Sequence, residues 1–376
     1  MKKSYIKLII FMSFFSLLFI FNGFVYTFLS QIKLDILLFV LLIIAYILFG
    51  FEKDRHRYIK DIILELIIVL ITFFLIYYLF GIVIGFAKVS NYYNINSILN
   101  IIIPIIIYII LSEILRYQLL IKSSESKYLI YLVCLFFIIM DTSIATSLVN
   151  IKELKDTFLL ISLTILPSIS KNILCTYLSL NFGYKPCLLY VLVMSLYSYL
   201  LPLVPNPNEY VYSLIFLILP LWILFHIRKW TSKDKVNNVV IGRFDFKRVN
   251  LVYYIPLIII TFILVYFISG YFRYYAVAIA SGSMEPVLSR GDVVVVDQEY
   301  KSINVGDILA YNYDGKVVVH RIYKIIDTNK EYYIYTKGDA NNSYDKYKIS
   351  KNMLIGIVKF KIPLIGYPTV LLNEIW

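Results

Sequence analysis

Charge is scarce in this chain. Only 16% of its 376 residues are Asp, Glu, Lys or Arg, against 60% hydrophobic ones; a soluble globular chain is about a quarter charged. That shortage excludes a disordered protein and argues against a water-soluble enzyme. Cysteine is nearly absent too. Cys134, Cys175 and Cys187 are the only three, all in or beside apolar stretches, so no disulfide framework and no zinc-type Cys/His spacing can be read. Histidine is as rare, with only His56, His226 and His320.

Long apolar sequence is what the chain has instead. Runs of about 18 or more apolar residues can cross a ~30 Å hydrocarbon core. Nine are read, near 5–29, 35–51, 62–86, 98–115, 128–149, 158–181, 187–204, 210–227 and 251–271. Lys2 and Lys3 precede the first as in a signal peptide, but its apolar core is too long and no small-residue cleavage site follows, so an uncleaved span is expected.

Loop charges then predict orientation. With the N-terminus inside, the inside segments carry Lys2, Lys3 and Lys7, then Lys53, Arg55, Arg57 and Lys60, then Arg116, Lys122 and Lys127, then Lys185. The last inside loop adds Arg228, Lys229, Lys233, Lys235, Arg243, Lys247 and Arg248, whereas the outside loops hold only Lys33, Lys88, Lys152 and Lys155. The asymmetry follows the positive-inside rule and predicts that everything after residue 272 lies on the outer face. It also accounts for the net charge of +12: residues 1–271 hold 23 basic and 13 acidic residues, residues 272–376 hold 13 and 11. No basic stripe interleaved with exposed aromatics is present, so nucleic acid is not an expected partner.

Glu65, Glu113, Asp141 and Lys171 lie inside apolar runs, where ionisable residues are functional candidates. Arg116 is one helical turn from Glu113 and can pair with it, and Asp141 and Lys171 can pair across helices. Pro167, Pro202 and Pro220 interrupt runs, as membrane helices tolerate.

The texture changes from about residue 275. Val293–Val296, Ile308–Tyr311, Val317–Ile326, Tyr332–Tyr335 and Leu354–Phe360 read as strands, being rich in β-branched and aromatic residues. Asp314-Gly315 is a hairpin-turn signal between two of them. The expected fold is a multi-spanning α-helical membrane region followed by a small all-β extracytoplasmic domain. The domains expected are a polytopic region over 1–250, a last span over 251–271 and the β-domain over 272–376.

Three pieces of that β-domain carry chemistry. Ala280-Ser281-Gly282-Ser283-Met284-Glu285-Pro286 follows the last span closely. By itself a Ser-Gly-Ser turn is a plain linker, yet a serine becomes a nucleophile once a base takes its proton. His320 is the only histidine after the last span. In an apolar strand it reads as a packed core residue, but its ordinary pKa of about 6.5 suits a general base. Lys337-Gly338-Asp339-Ala340-Asn341-Asn342-Ser343-Tyr344-Asp345 is the third. Asp339, Asn341, Ser343 and Asp345 alternate as a calcium loop begins, but Tyr344 stands where Gly is needed and Ser350 where Glu is needed. The segment otherwise reads as an Asx-rich turn, or as the source of an aspartate that orients the histidine. Lys337 is a rival base only if burial depresses its pKa.

Together, S-G-S-M-x-P, G-D at 306–307, H-R-I, K-G-D-x-N-x-x-x-D and the closing Ile362-Pro363-Leu364-Ile365-Gly366-Tyr367 resemble, in this order, the type I signal peptidases. The resemblance covers about 272–367, roughly a quarter of the chain. His320 stands where the usual bacterial branch has a lysine, as in the endoplasmic-reticulum-type branch. The resemblance implies a serine endopeptidase with Ser283 as nucleophile, His320 as general base and Asp345 as the orienting carboxylate. It implies Ser281 as support for an oxyanion hole with the backbone N–H of Ser283, and a structural role for Asp339. It implies no cofactor and no metal. The expected partners are signal-peptide-bearing preproteins, the lipid bilayer and the secretion translocon, in a prokaryotic cell membrane. The family usually has one or two spans, so the first eight runs have no role in that reading. The competing expectation is a membrane carrier or sensor with a non-catalytic β-domain.

Overall fold

The computed structural model describes residues 3–25, 31–54, 56, 59–89, 98–146, 154–237, 251–300, 302–328, 331–367 and 369–370. The chain divides into two compact units, one of Met1–Tyr77 with Ala87–Val252 and one of Tyr78–Phe86 with Tyr253–Trp376.

The first unit is helical. Its helices are α1 (Lys3–Val25), α2 (Gln31–Phe49), α3 (Ile59–Ile84), α4 (Ile103–Ser123), α5 (Lys127–Thr146), α6 (Leu154–Leu160), α7 (Leu166–Phe182), α8 (Tyr184–Leu200) and α9 (Glu209–Asn237). Among the described residues four segments are long and apolar enough to cross a membrane: Ile59–Ile82, Ile98–Ser123, Asp156–Phe182 and Glu209–Lys229. Two of these contain a π-helical turn: Ile98–Ile102 opens the segment that continues as α4, and Ile161–Ile165 joins α6 to α7. Pro167 follows directly on the π turn at Ile161–Ile165, and Pro220 lies inside α9. The basic residues Lys2, Arg55, Arg57, Lys152, Arg243, Lys247 and Arg248 lie outside the described residues.

Helix α4 is the hub. Its Leu115, Leu119 and Leu120 join one apolar cluster with residues of α1, α2 and α5. Its Ile109 joins another with residues of α3, α7, α8 and α9. The ionisable residues read in the apolar runs are all paired. Glu113 accepts from Arg116 Nε at 2.9 Å, Lys171 meets Asp141 at 2.6 Å, and Glu65 meets His226 at 2.7 Å.

The second unit carries a short helix, α10 (Ile255–Ile268), and a six-stranded sheet. Helix α10 is 14 residues, shorter than the 251–271 run, and follows a 3₁₀ turn at Leu251–Tyr254. At 1.5 Å per residue it spans only ~21 Å. Pro256 starts it, and Gly270 at φ 65° carries the chain out toward the sheet. There Gln298 Nε2 donates to the carbonyls of Gly270 and Phe272 at 3.0 and 2.7 Å.

The strands are β1 (Tyr274–Ala278), β2 (Val293–Asp297), β3 (Ile308–Tyr313), β4 (Lys316–Thr328), β5 (Glu331–Lys337) and β6 (Leu354–Ile362). They pair antiparallel throughout in the order β1-β2-β6-β3-β4-β5. The five expected strands are all present, each ending one or more residues beyond its expected limit. Strand β1 is an addition: Tyr274–Ala278 is short and comes directly after an apolar run. Asp314 at φ 50° and Gly315 at φ 73° turn β3 into β4, both in the positive region that a two-residue primed turn demands. Side chains alternate between two cores, as a period of two requires. Ala310, Val319 and Val294 pack with Met284 on one side, and Leu309, Tyr311, Ile322 and Ile334 on the other.

Candidate active site

Ser283 lies on the loop joining β1 to β2. The loop is closed at its base, where Ile279 N donates to Asp292 O at 2.8 Å and Gly291 N donates to Ile279 O at 2.9 Å. Met284 and Leu288 anchor it in the core at 1% and 2% exposure, with Leu288 N donating to Met284 O at 2.9 Å. Burying these two leaves Ser283 half-buried at the surface. Its carbonyl is met by the K-G-D loop: Ala340 N donates to Ser283 O at 2.9 Å. Gly338 must be glycine here, since a Cβ would come within 2.6 Å of that same oxygen.

The three residues that the sequence singles out converge. Ser283 Oγ is 3.2 Å from His320 Nε2, and His320 Nδ1 is 2.7 Å from Asp345 Oδ2. His320 comes from the middle of β4 and is 8% exposed. Asp345 comes from the segment between β5 and β6, where its own N–H donates to Thr336 O at 2.8 Å. Ser281 Oγ lies 3.2 Å from Ser283 Oγ, beside the nucleophile position. Asp339 goes elsewhere. Arg321 grips it from two nitrogens, Nε to Oδ1 at 2.8 Å and Nη2 to Oδ2 at 2.6 Å, and its Nη1 donates to Gly306 O at 2.8 Å. Arg321 thus ties the G-D and K-G-D segments together. With one carboxylate on Arg321 and the other on His320, Asp339 and Asp345 do not converge on a calcium position. Lys337 is paired in register with Arg321, so it projects to the opposite side of the sheet from His320.

Sequence reasoning missed the groups that hold Asp345. Thr336 Oγ1 donates to Asp345 Oδ2 at 2.6 Å and Tyr311 OH donates to it at 3.3 Å. Tyr311 OH also lies 3.1 Å from Thr336 Oγ1 and 3.1 Å from Tyr347 OH. Thr336 and Tyr311 are both fully buried. Burial holds the Tyr311 phenol far above its usual range, so it remains a donor. The signal was register: Leu309 faces His320 and Ile322 faces Thr336, which puts Tyr311, His320 and Thr336 on one face.

The closing segment Ile362–Tyr367 packs onto the serine loop. Gly366 N donates to Gly291 O at 2.9 Å, and a Cβ on Gly291 would strike the Tyr367 ring at 2.3 Å. Asp292 locks the same corner. Its carboxylate accepts Ser289 N at 3.0 Å and Leu364 N at 3.4 Å and lies 3.4 Å from Lys361 Nζ. These contacts, the Ser289 N–H foremost, hold it below the usual carboxylate value. Residues 371–376 lie outside the described residues.

A hydroxyl, an imidazole and a carboxylate in hydrogen-bonded line form the constellation of a serine hydrolase. Known proteins give that class a nearer neighbourhood. Residues 249–359 match the Peptidase S24-like family. The chain is 37% identical over 109 residues to the signal peptidase complex catalytic subunit SEC11 of Yarrowia lipolytica, covering 26% of this chain and 63% of that protein. It is 38% identical over 109 residues to the protein of the same name from Candida tropicalis, covering 26% and 65%. The chain therefore spans just under two thirds of the length of these relatives. The β-domain is thus similar to signal peptidase catalytic subunits, in line with the order of its motifs.

Proposed function

We propose that this chain is a membrane-bound serine endopeptidase that removes signal peptides from secreted preproteins. The observation that carries the reading is the line Ser283–His320–Asp345, at 3.2 and 2.7 Å. Ser283 Oγ attacks the scissile carbonyl while His320 Nε2 takes its proton. The backbone N–H of Ser283 and the Ser281 hydroxyl stabilise the tetrahedral oxyanion. His320 then gives the proton to the leaving amine, and an acyl-enzyme remains. Water, deprotonated by His320, releases the acyl group and restores the serine. Asp345 keeps the Nδ1 proton directed at itself and stabilises the imidazolium. Asp339 supports the site from outside by holding Arg321.

In this reading residues 272–376 are the catalytic domain, 251–271 its anchor and 1–250 a polytopic region, with the N-terminus inside and catalysis on the outer face of a cell membrane. The loop charges support that orientation. The substrate has small residues just before the cut. The names of the relatives place them in a signal peptidase complex, so protein partners belong to the same reading; the translocon is proposed as one because it delivers the preprotein.

The test is cleavage of a preprotein by the purified, detergent-solubilised chain. Wild type should cut after a small residue, and Ser283→Ala should lower the rate by about 10³-fold or more. His320→Lys should be as inactive, because the Asp345 carboxylate beside that position would keep the ammonium charged. Equal silence of wild type and Ser283→Ala, with both binding preproteins, would replace catalysis by a carrier or sensor with a non-catalytic β-domain.

A further inference from the structure

The helical region contains a cluster that the peptidase reading does not use. Glu113 on α4, Cys175 on α7 and Cys187 on α8 present one carboxylate oxygen and two sulfurs, all within 4.8 Å of one another. The three residues are at most 2% exposed. Cys187 Sγ donates to Glu113 Oε2 at 2.9 Å. The geometry points to a buried site for a divalent metal ion of the zinc class, held by Glu113, Cys175 and Cys187.

Three arguments carry this. The first is ligand type: two thiolates and a carboxylate suit a borderline-soft ion and exclude calcium and magnesium, which take oxygen alone. The second is size. With tetrahedral bonds of ~2.3 Å to sulfur and ~2.0 Å to oxygen, sulfurs lie ~3.8 Å apart and sulfur and oxygen ~3.5 Å apart. Ligand atoms that already fall within 4.8 Å need move by only about an ångström. The third is charge. Arg116 reaches Glu113 through Nε at 2.9 Å and Nη2 at 3.3 Å. The pair is neutral, and so are two thiols. Loading one M²⁺ ion expels two thiol protons to solvent, so the cluster with Arg116 stays neutral and no net charge enters a low-dielectric interior.

The surrounding shell is of the kind that orients ligands. Arg116 Nη2 also donates to Asn172 Oδ1 at 2.7 Å, and Asn172 Nδ2 donates to Asp141 Oδ2 at 2.7 Å. Arg116 Nη1 is buried without a hydrogen-bond partner, although the sulfurs of Cys175 and Cys187 are within its electrostatic reach. A metal-bound sulfur would be an acceptor for it. The ion would tie α4, α7 and α8 together and leave one position of its tetrahedron open.

The test uses the full-length, untagged chain in detergent. After loading with Zn²⁺ and exhaustive dialysis, wild type should keep about one zinc per chain. Cys175→Ser with Cys187→Ser should keep less than about a tenth as much, and Cys134→Ser, outside the cluster, should match wild type. Co²⁺ in place of Zn²⁺ should give a thiolate-to-cobalt charge-transfer band in wild type alone. Zinc retained equally by wild type and the double variant overturns the proposal. So does a Co²⁺-loaded wild type without that band, a result that stands even if the double variant fails to fold.

Discussion

The two units of this chain bury polar groups to opposite ends. In the β-domain the buried hydrogen bonds run outward, from Tyr347 and Tyr311 through Thr336 and Asp345 to His320, and stop at the half-exposed Ser283. In the helical region they run inward. Lys171, Asp141, Asn172, Arg116 and Glu113 bond one to the next, and Cys187 closes the series against Glu113. A polar chain that ends on an exposed hydroxyl can deliver a proton to a substrate. One that ends among buried side chains holds helices together. Breaking the first should cost activity with little stability, and breaking the second should cost stability first.

The largest expected effect tests the first half. Asp345→Asn keeps the size of the side chain but offers His320 Nδ1 an amide in place of a carboxylate. Cleavage should fall by about 10³–10⁴-fold, while thermal unfolding in detergent barely moves. A loss under tenfold would show that Asp345 does not orient the imidazole.

Next is the converse in the helical region. Arg116→Met removes a guanidinium 1% exposed and leaves the Glu113 carboxylate buried without its partner. A destabilisation of about 3–5 kcal/mol is expected. It is read as earlier loss of helical circular dichroism on heating, with cleavage per folded molecule unchanged. Unchanged unfolding would mean that water reaches Glu113.

Thr336→Val asks how far the outward chain matters. The swap keeps shape but deletes one donor to the Asp345 carboxylate. A hydrogen bond to a charged group contributes about 1.5–3 kcal/mol, so cleavage should fall by roughly 10–100-fold. Thr336→Ser should restore most of it. A positioning role also predicts that the acidic limb of the rate–pH profile shifts in Thr336→Val, whereas general loosening of the fold would scale the whole profile.

Much of this was legible in the sequence for a physical reason. Strands β2 to β6 are runs of β-branched and aromatic residues, and Asp314-Gly315 can hardly be anything but a primed turn. The Glu113–Arg116 pair is local, one helical turn apart. What was hidden is long-range. Spacing alone leaves Asp339 and Asp345 as equal candidates, and the family resemblance favours Asp345; the fold puts Asp339 on Arg321 and Asp345 on His320. Tyr311 and Thr336 look like ordinary strand residues until register sets them beside Asp345. Asn172 gives no sign from its neighbours that it bridges Arg116 and Asp141 on other helices. Strand β1 was lost because Tyr274–Ala278 is too short to stand out beside an apolar run.

The smallest effect concerns the link between α10 and the sheet. Arg273 meets buried Asp297 through Nε and Nη2, both at 3.0 Å, across the β1–β2 edge. Arg273, with the backbone N–H of Glu299 assisting, holds the Asp297 carboxyl below its ordinary value of 3.8. The unfolded chain therefore takes up the proton first as pH falls. The contribution of the pair is complete above about 3.8 and disappears as pH drops through the lower folded value. Since the Arg273 side chain is 47% exposed, solvent screens the pair and its contribution is small. Asp297→Asn should accordingly lower the urea midpoint of the β-domain at pH 7, and wild type and variant should converge toward pH 2. A gap that persisted in acid would mean that Asp297 supports β2 through geometry rather than charge. The β-domain would then resemble the helical region in using a carboxylate as a strut.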